Sequence, residues 1–240
     1  MRVFGTYRTY SEHVAILAEK GVELVRCDLA SRDSIASACS SLRDLCPAWD
    51  ALVICAGLQY PIAPFESCNF DQWEDSIAVN FVGQIRIVHR LLPTRRSGQP
   101  GQTTVLFFAG GGPNKATVNY SAYAVSKIAL IKMCELLDAE LPDTRFVILN
   151  PGWVKTKGHR HMLEAPETGE DHKRTIEKFE RGGWVPMDRV LDCCDWVVNA
   201  PRGLVGGRYF GVEFDAWGSE EMNKRLAEDP NRCKLRRYEA

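Results

Sequence analysis

The amino-acid sequence predicts an α/β fold with a doubly wound parallel sheet in a single domain. Short β-branched runs alternate with longer segments of helical period, which is the pattern of parallel strands joined by crossover helices. Glycines or polar residues follow several of these runs, at the sheet edge where such folds bind ligands. The 240 residues contain no internal repeat and no linker, so we predict one domain.

Helix caps and breakers place the elements in the first part of the chain. Ser11 and Ser31 are typical N-caps, and Gly21 is a typical helix stop. Pro47 limits the second helix, and the apolar run of strand length that follows it predicts a buried strand. The predicted strands are 2–7, 22–26 and 51–55, and the predicted helices are 11–20, 31–45 and 70–92.

The second part of the chain continues the alternation. A buried strand ends at a run of three glycines, and a later strand ends at Asn150-Pro151-Gly152. The segment from 158 to 183 is polar and charged, with a helix predicted over its second half. The predicted strands are 103–108, 146–149 and 208–212, and the remaining predicted helices are 120–141 and 187–199.

Composition excludes several classes of function. The 30 Lys and Arg residues balance 31 Asp and Glu residues, so no basic surface for nucleic acid is predicted. Apolar runs are too short to span a membrane, and Met1 to Tyr10 lack the apolar core of a secretory signal. Nine cysteines without a Cys-x-x-Cys pair indicate reduced thiols and argue against structural zinc. We therefore expect a cytoplasmic protein without a metal site.

Tyr123 and Lys127 stand four positions apart, on one face of the predicted helix 120–141. A nearby cation lowers the pKa of a phenol from its reference of about 10, which suits it to proton transfer at neutral pH. Taken alone, the pair is better explained by a partly buried tyrosine beside a solvated lysine.

Further motifs occur in an order that resembles the short-chain dehydrogenase/reductase family. Tyr123 and Lys127 match its Tyr-x-x-x-Lys, and Val79-Asn80 matches the asparagine of its catalytic tetrad. The resemblance implies a Rossmann-like fold and extends over most of the chain. The other matches are Asp28-Leu29, Cys55-Ala56-Gly57 in place of Asn-Ala-Gly, and a Pro-Gly-x-Val-x-Thr segment formed by Pro151, Gly152, Val154 and Thr156.

The resemblance implies hydride transfer between a nicotinamide and a carbonyl or alcohol. Tyr123 is then the general acid/base, Lys127 holds the nicotinamide ribose and lowers the tyrosine pKa, and Asn80 positions its helix and a relay water. A basic residue at Arg8 favours NADP over NAD, unless Arg8 is an ordinary solvated cation. The implied cofactor-binding residues are Arg8, Asp28, Leu29, Cys55, Ala56, Gly57, Tyr123, Lys127, Pro151, Gly152, Val154 and Thr156.

Gly110 departs from the family pattern because it stands where the catalytic serine is expected. Loss of one such hydrogen-bond donor typically lowers the rate by about 10²–10³-fold. Backbone N–H groups of the glycine run could substitute in part, since glycine allows close approach. The candidate substitutes are the N–H groups of Gly110, Gly111 and Gly112 and the side chains of Asn114, Asn119 and Ser121.

The family's glycine-rich fingerprint on the first strand–helix turn is also absent. Only Gly5 and Gly21 precede Asp28, and the interval from Asp28 to Gly57 assigns the run 2–7 to the family's second strand. We therefore expect a sheet that is incomplete at the N-terminus. The strands flanking the missing one lie about 10 Å apart unless the sheet closes up. A start placed too late and a degenerate family member both explain this.

Three functions remain open from the sequence. The first is an NADP-dependent oxidoreductase acting on a carbonyl or alcohol, with a sugar-like substrate as one possibility. The second is a non-catalytic relative that serves as an oligomer partner or scaffold. The third is a nucleotide-sugar epimerase or dehydratase.

The remaining expectations concern the periphery and assembly. Segment 158–185 is expected to cover a small-molecule substrate, and segment 218–240 to form a C-terminal tail. The basic stretch from Lys234 to Arg237 is expected to be solvated or in an interface. Family members commonly pair through the helices that carry Asn80 and Tyr123, so a homodimer or homotetramer is expected. The polar segment also contains His159, His161 and His172, without the spacing of a metal site.

Overall fold

The computed structural model describes residues 1–96, 103–110, 113, 116–156, 163 and 169–237, and the side chains of 169, 171 and 172 lie outside the description. Parallel strands alternate with helices, as the sequence predicts. The strands are β1 (Phe4–Tyr7), β2 (Glu23–Arg26), β3 (Ala51–Ile54), β4 (Thr103–Phe108), β5 (Thr144–Asn150) and β6 (Arg208–Gly211). The helices are α1 (Glu12–Glu19), α2 (Arg32–Leu45), α3 (Phe70–Ile77), α4 (Gln84–Leu91), α5 (Ser121–Glu140), α6 (Gly169–Arg181), α7 (Met187–Asn199), α8 (Arg202–Val205) and α9 (Glu220–Glu228).

The strands form two separate parallel sheets in the described part of the chain. One sheet pairs β1 with β2, and the other has the order β3-β4-β5-β6. Within the described residues, no ladder joins β1 to β3. The expected gap in the sheet is therefore present, and the two sheets do not close across it.

Strand β3 is less buried than the sequence predicts. Ala51 and Val53 are exposed and alternate with the partly buried Leu52 and the buried Ile54. Val53 pairs with Leu106, so it lies on the face that α7 and α9 cover farther along the sheet. The prediction of a fully buried strand was wrong because β3 is an edge strand here, and one of its faces is open.

Two apolar clusters pack on opposite faces of the four-stranded sheet. The first joins Ile54, Phe107 and Phe146 to apolar side chains of α2, α4 and α5. The second joins alternate residues of the same strands, such as Leu106 and Val147, to α7 and α9. This alternation, with helices on both faces, is the arrangement of a doubly wound α/β domain.

The helix predicted over 70–92 is interrupted by a π-helical turn at Ala78–Gly83, between α3 and α4. Gly83 packs against the turn after β2. A Cβ at this position would lie 2.6 Å from the backbone oxygen of Leu29, which is closer than any side chain can approach. The π-helical turn therefore lies directly against the Asp28-Leu29 turn and carries Asn80 beside it.

The C-terminal tail is only partly solvated. Leu235 packs against the first apolar cluster, and Arg236 forms a 2.6 Å ion pair with Glu135 of α5. Arg208 of β6 donates hydrogen bonds to carbonyls at the end of α9, including a 2.7 Å bond to Leu226. These contacts fix α9 and the tail on the domain.

All nine cysteines are free thiols. Within the described ranges, no helix is both long and apolar enough to cross a membrane.

Candidate active site

Asn80 fixes the loop that follows β3. Its side chain is fully buried, and its Oδ1 accepts a 2.7 Å hydrogen bond from the backbone N–H of Leu58. Its Nδ2 donates at 2.8 Å to the carbonyl of the same residue and at 3.2 Å to Ser76 Oγ. One turn later, Gln84 Nε2 donates at 2.7 Å to the carbonyl of Ala56. Two buried amides of the helix thus hold the loop backbone in place.

Lys127 is buried beside the same loop. Its Nζ donates a 2.9 Å hydrogen bond to the carbonyl of Phe108 at the end of β4. A Cβ built on Gly57 would lie 3.4 Å from both Lys127 Nζ and Asn80 Oδ1, so the two polar groups converge at this glycine. Burial lowers the pKa of Lys127 to about 8, with Cys55 acting in the opposite direction.

Tyr123 occupies the space of the missing serine side chain. A Cβ at Gly110 would lie 2.2 Å from the Tyr123 hydroxyl and 2.7 Å from the ring carbon Cε1. The phenol therefore packs directly on the glycine backbone, at a distance that excludes any side chain there.

The Tyr123 hydroxyl is also deeply desolvated. Burial raises the pKa of Tyr123 to about 12. Lys127 Nζ lies 5.8 Å from the centre of the phenol ring, yet it is not among the causes of the pKa shift. The expected lowering of the Tyr123 pKa by Lys127 is therefore absent, and burial is the largest cause of its rise.

Gln59 affects the pKa of the Tyr123 hydroxyl. A side-chain hydrogen bond from Gln59 partly offsets the effect of burial on the tyrosine pKa. The Gln59 Oε1 atom is buried and has no hydrogen-bond partner among the described residues. Gln59 is thus a polar residue that acts on the hydroxyl that the family resemblance assigns as the proton donor.

The segment after β5 begins with a tight turn at Gly152. Gly152 has a φ of +74° and approaches Val185 and Glu213 so closely that a Cβ would lie 2.8 Å and 2.9 Å from their side chains. Val154 is buried in the second apolar cluster, whereas Thr156 is exposed. A side-chain hydrogen bond joins Asn150 to Tyr209, and Tyr209 interacts electrostatically with Tyr123.

Two arginines lie at the carboxyl end of the β1–β2 sheet. Arg8 and Arg26 are both exposed, and Arg26 Nε donates a 3.4 Å hydrogen bond to the carbonyl of Arg8. Asp28 accepts a 3.0 Å hydrogen bond from the N–H of Ala30, which closes the turn before α2. These residues lie on the two-stranded sheet, across the gap from Cys55 to Gly57 on the four-stranded sheet.

A family model described as short chain dehydrogenase matches residues 4–167 of the chain. The chain belongs to this family.

Two curated relatives of this short-chain dehydrogenase are similar at modest identity. The 3-ketodihydrosphingosine reductase TSC10 of Candida glabrata is 25% identical over 183 residues, which cover 75% of this chain and 46% of the relative. The short chain dehydrogenase pgmD of Aspergillus terreus is 24% identical over 201 residues, which cover 78% of this chain and 58% of the relative. The chain thus spans about half the length of these relatives.

Solved structures confirm the Rossmann-like fold. The KRED1-Pglu enzyme superposes with a TM-score of 0.74 at 23% identity, covering 87% of this chain and 88% of that one. The Pseudomonas aeruginosa RhlG/NADP active-site complex superposes with a TM-score of 0.72 at 21% identity, covering 88% and 84%. The predicted family and fold are therefore confirmed.

A nicotinamide cofactor fits one half of the site better than the other. Asn80 and Lys127 meet at the backbone of Gly57, and Lys127 keeps two N–H donors beyond its bond to Phe108. The described residues contain no glycine-rich turn between β1 and α1 to bind a pyrophosphate. The residues present therefore suit the nicotinamide ribose.

Several predicted site residues cannot be placed. Gly111, Gly112 and Asn114 lie outside the described residues, as do His159, His161 and the side chain of His172. Ser121 accepts a 3.0 Å hydrogen bond from Trp73, which leaves it on the α3 side of the site. Across the described positions, no three His, Cys, Asp or Glu residues cluster as metal ligands do.

The structure adds residues that the motifs do not identify. Gln59 stands two positions after the Cys55-Ala56-Gly57 match, and Gln84 stands four positions after Asn80. The signal for Gln84 is a polar residue on the buried face of an amphipathic helix, one turn after Asn80. The signal for Gln59 is only its place after the carboxyl end of a strand, which many residues share.

Proposed function

We propose that this short-chain dehydrogenase reduces a ketone with NADPH. The single observation that carries the proposal is the convergence of Asn80, Lys127 and Tyr123 at the carboxyl ends of β3 and β4. The reductase name of the Candida glabrata relative supports a carbonyl substrate.

The protonation of Tyr123 supports the reductive direction of the reaction. With a pKa of about 12, the hydroxyl stays protonated throughout the physiological pH range. A protonated phenol suits the reduction, in which Tyr123 donates its proton to the carbonyl oxygen as hydride reaches the carbonyl carbon. The bound cofactor supplies the hydride.

Lys127 and Asn80 support that proton donor in different ways. Lys127 titrates at about pH 8, so it is mostly charged at neutral pH and can bind a ribose hydroxyl. Asn80 is a positioning residue, because both of its amide atoms are bonded to the backbone of Leu58. Arg8 and Arg26 are exposed cations at the carboxyl end of the β1–β2 sheet, which supports NADPH over NADH.

The test is consumption of NADPH by the purified chain with a panel of ketones that includes a ketose. Tyr123→Phe removes the proton donor and is expected to lower kcat at least about 100-fold. Tyr10→Phe is the matched control, because Tyr10 is 68% exposed. Equal loss in both variants, or full activity in Tyr123→Phe, contradicts the proposal. Product analysis that shows no net redox change points instead to epimerase or dehydratase chemistry.

A non-catalytic role is the second candidate. It is favoured by the packing of the Tyr123 hydroxyl into the space of the missing serine, and by the open edges of β1 and β3. Calorimetry with NADPH distinguishes the two candidates. Absence of both NADPH binding and turnover favours the non-catalytic role, whereas turnover abolished by Tyr123→Phe eliminates it.

We further propose a homodimer formed through α5 and its neighbour α4. Val125, Ile128 and Leu136 lie along one exposed face of α5, with 50%, 36% and 44% exposure. Val82, just before α4, is 43% exposed. An apolar stripe of this kind is typical of a subunit interface. Ile128→Glu is expected to convert the dimer to a monomer in light scattering, and a native chain that is already monomeric refutes the proposal.

The nine free thiols support a reducing compartment, and on this basis we propose a cytoplasmic location.

A further inference from the structure

Strands β1 and β3 each have one edge that is unpaired in the described part of the chain. Strand β1 pairs with β2 on one side, and β3 pairs with β4 on one side. Successive residues of a strand direct their N–H and C=O groups to opposite edges. The carbonyls of Val3 and Tyr7 bond to residues at β2, and the carbonyl of Asp50 bonds to β4. The residues whose backbone groups face the unpaired edges are therefore Phe4, Thr6, Ala51 and Val53.

The two unpaired edges face each other across the gap between the sheets. Helix α2 packs in the first apolar cluster together with residues of β2 and β3. Helix α1 contacts β2, but its buried residue, Val14, is not part of that cluster, so α1 covers the opposite face. Right-handed crossovers on opposite faces lead in opposite directions across a sheet. The chain therefore passes back over β1 on its way from β2 to β3, which places β1 next to β3.

The two edges run in the same direction and are kept apart by helices. The π-helical turn between α3 and α4 packs on Leu29 after β2 through Gly83, and Asn80 of the same turn bonds to Leu58 after β3. The carboxyl ends of β2 and β3 thus lie together, and β1 is parallel to β2. Because α2 and α4 pack against both sheets in one apolar cluster, the gap cannot close without unpacking that cluster.

A gap of this form is suited to a single extended segment. Unpaired strand edges are templates for further pairing, and one inserted strand would lie about 4.8 Å from each neighbour and satisfy both edges. The edge of a folded sheet cannot enter, because β1 and β3 bound the gap on both sides. On β3, the side chains of Ala51 and Val53 are exposed, so an apolar occupant would cover them. The six described strands are all paired already, so none of them is free to insert.

We infer that the gap between β1 and β3 is a docking slot for one extended segment of another polypeptide, which inserts as a parallel strand. The segment pairs with β1 on one side and with β3 on the other. Because a parallel strand inside such a sheet is covered on both faces, the segment carries apolar side chains on both faces. The inference is independent of the proposed reductase, since backbone pairing involves neither Tyr123 nor a cofactor.

The probe is a synthetic peptide that repeats Thr103–Phe108 and carries two additional lysines at its N-terminus for solubility. This is the sequence of β4, which pairs in parallel on both sides and is buried on both faces. Fluorescence anisotropy of the labelled peptide with the full chain gives the dissociation constant. With free peptide at ten times that constant, hydrogen exchange of the four edge amides is expected to slow about tenfold. The same peptide with Leu106→Pro is expected not to bind, because proline cannot donate a ladder hydrogen bond.

Val53→Pro is the test variant on the protein. Proline removes the N–H that faces the gap and leaves the bonds between β3 and β4 in place, so the affinity for the peptide is expected to fall about tenfold. Arg26→Pro is the matched control. The N–H of Arg26 faces the outer edge of β2, because the N–H of the next residue, Cys27, bonds to Tyr7. This variant is expected to leave the affinity unchanged.

Three results overturn the inference: no binding of the β4 peptide, binding that leaves the four edge amides unprotected, and an affinity that is the same in Val53→Pro and Arg26→Pro. If Val53→Pro does not fold, the exchange experiment on the native chain decides. Edge amides that are already protected without peptide and lose that protection on dilution identify a second copy of the chain as the occupant, which also overturns the inference.

Discussion

Replacing Gly110 by serine restores the hydroxyl that the family pattern places at this position, yet the structure predicts a loss of activity. The Cβ of any residue at 110 would lie 2.2 Å from the Tyr123 hydroxyl, whereas ordinary contacts begin at 3.4 Å. The phenol therefore has to move by about 1.2 Å. The backbone at position 110 cannot move instead, because the N–H of the preceding residue, Ala109, donates a hydrogen bond to the carbonyl of Leu149.

The size of the effect follows from this displacement. Overpacking of a well-packed site typically costs about 1–3 kcal/mol of stability. A misplacement of about 1 Å in a reacting group lowers the rate by about 10²-fold. We expect both effects in Gly110→Ser, and the same loss of stability in Gly110→Ala, because the Cβ is responsible for the clash.

Urea unfolding and NADPH-dependent ketone reduction measure the two effects. Gly203→Ser is the matched control, since a Cβ there meets no atom within 4 Å. In the double variant Gly110→Ala/Tyr123→Phe, removal of the nearest atom is expected to recover part of the lost stability. A Gly110→Ser protein with native stability and a higher kcat refutes the argument, because the tyrosine would then not occupy the serine space.

Three further predictions concern packing, charge and cofactor choice. Gly83→Ala is expected to lower the free energy of unfolding by about 1–3 kcal/mol, because its Cβ would lie 2.6 Å from a backbone oxygen. Gly203→Ala is the control, and equal stability of the two variants would show that Gly83 does not pack against that oxygen. Burial lowers the pKa of Lys127 from 10.5 to about 8, so the unfolded state binds more protons between these values and stability rises with pH there. Relative to Lys127→Met, native stability in urea should rise by about 2.5 kcal/mol between pH 7 and pH 10, and parallel pH profiles would show that the ammonium is not buried. Arg8→Gln and Arg26→Gln should each raise KM for NADPH about tenfold and leave KM for NADH unchanged, whereas equal changes for both cofactors would exclude 2′-phosphate recognition.

The sequence predicts the elements well where local signals agree with packing. Helix α7 spans Met187–Asn199 and strand β4 spans Thr103–Phe108, as predicted, and Ser31 caps α2 by accepting a hydrogen bond from Ser34. The π-helical turn at Ala78–Gly83 was not predicted, because it depends on tertiary contact with the turn after β2. The exposure of β3 was also missed, because an apolar strand looks the same at the centre and at the edge of a sheet.

The sequence predicted those residues of the site that belong to motifs, and it did not predict the others. Asn80 and Lys127 converge at Gly57, as the order of motifs suggests. The pKa of Tyr123 was predicted in the wrong direction, because the i, i+4 spacing conveys the nearby charge but not the burial that opposes it. Gln59 belongs to no motif, and its effect on the tyrosine pKa depends on the fold.

The missing serine and the raised pKa of Tyr123 are two aspects of one packing arrangement. With glycine at position 110, the phenol of Tyr123 settles on the strand backbone, and burial raises its pKa. The hydroxyl thus lies in the space that a side chain at position 110 would fill. A serine added there would compete with the phenol for the same space, which is why the restored family residue is expected to impair this protein.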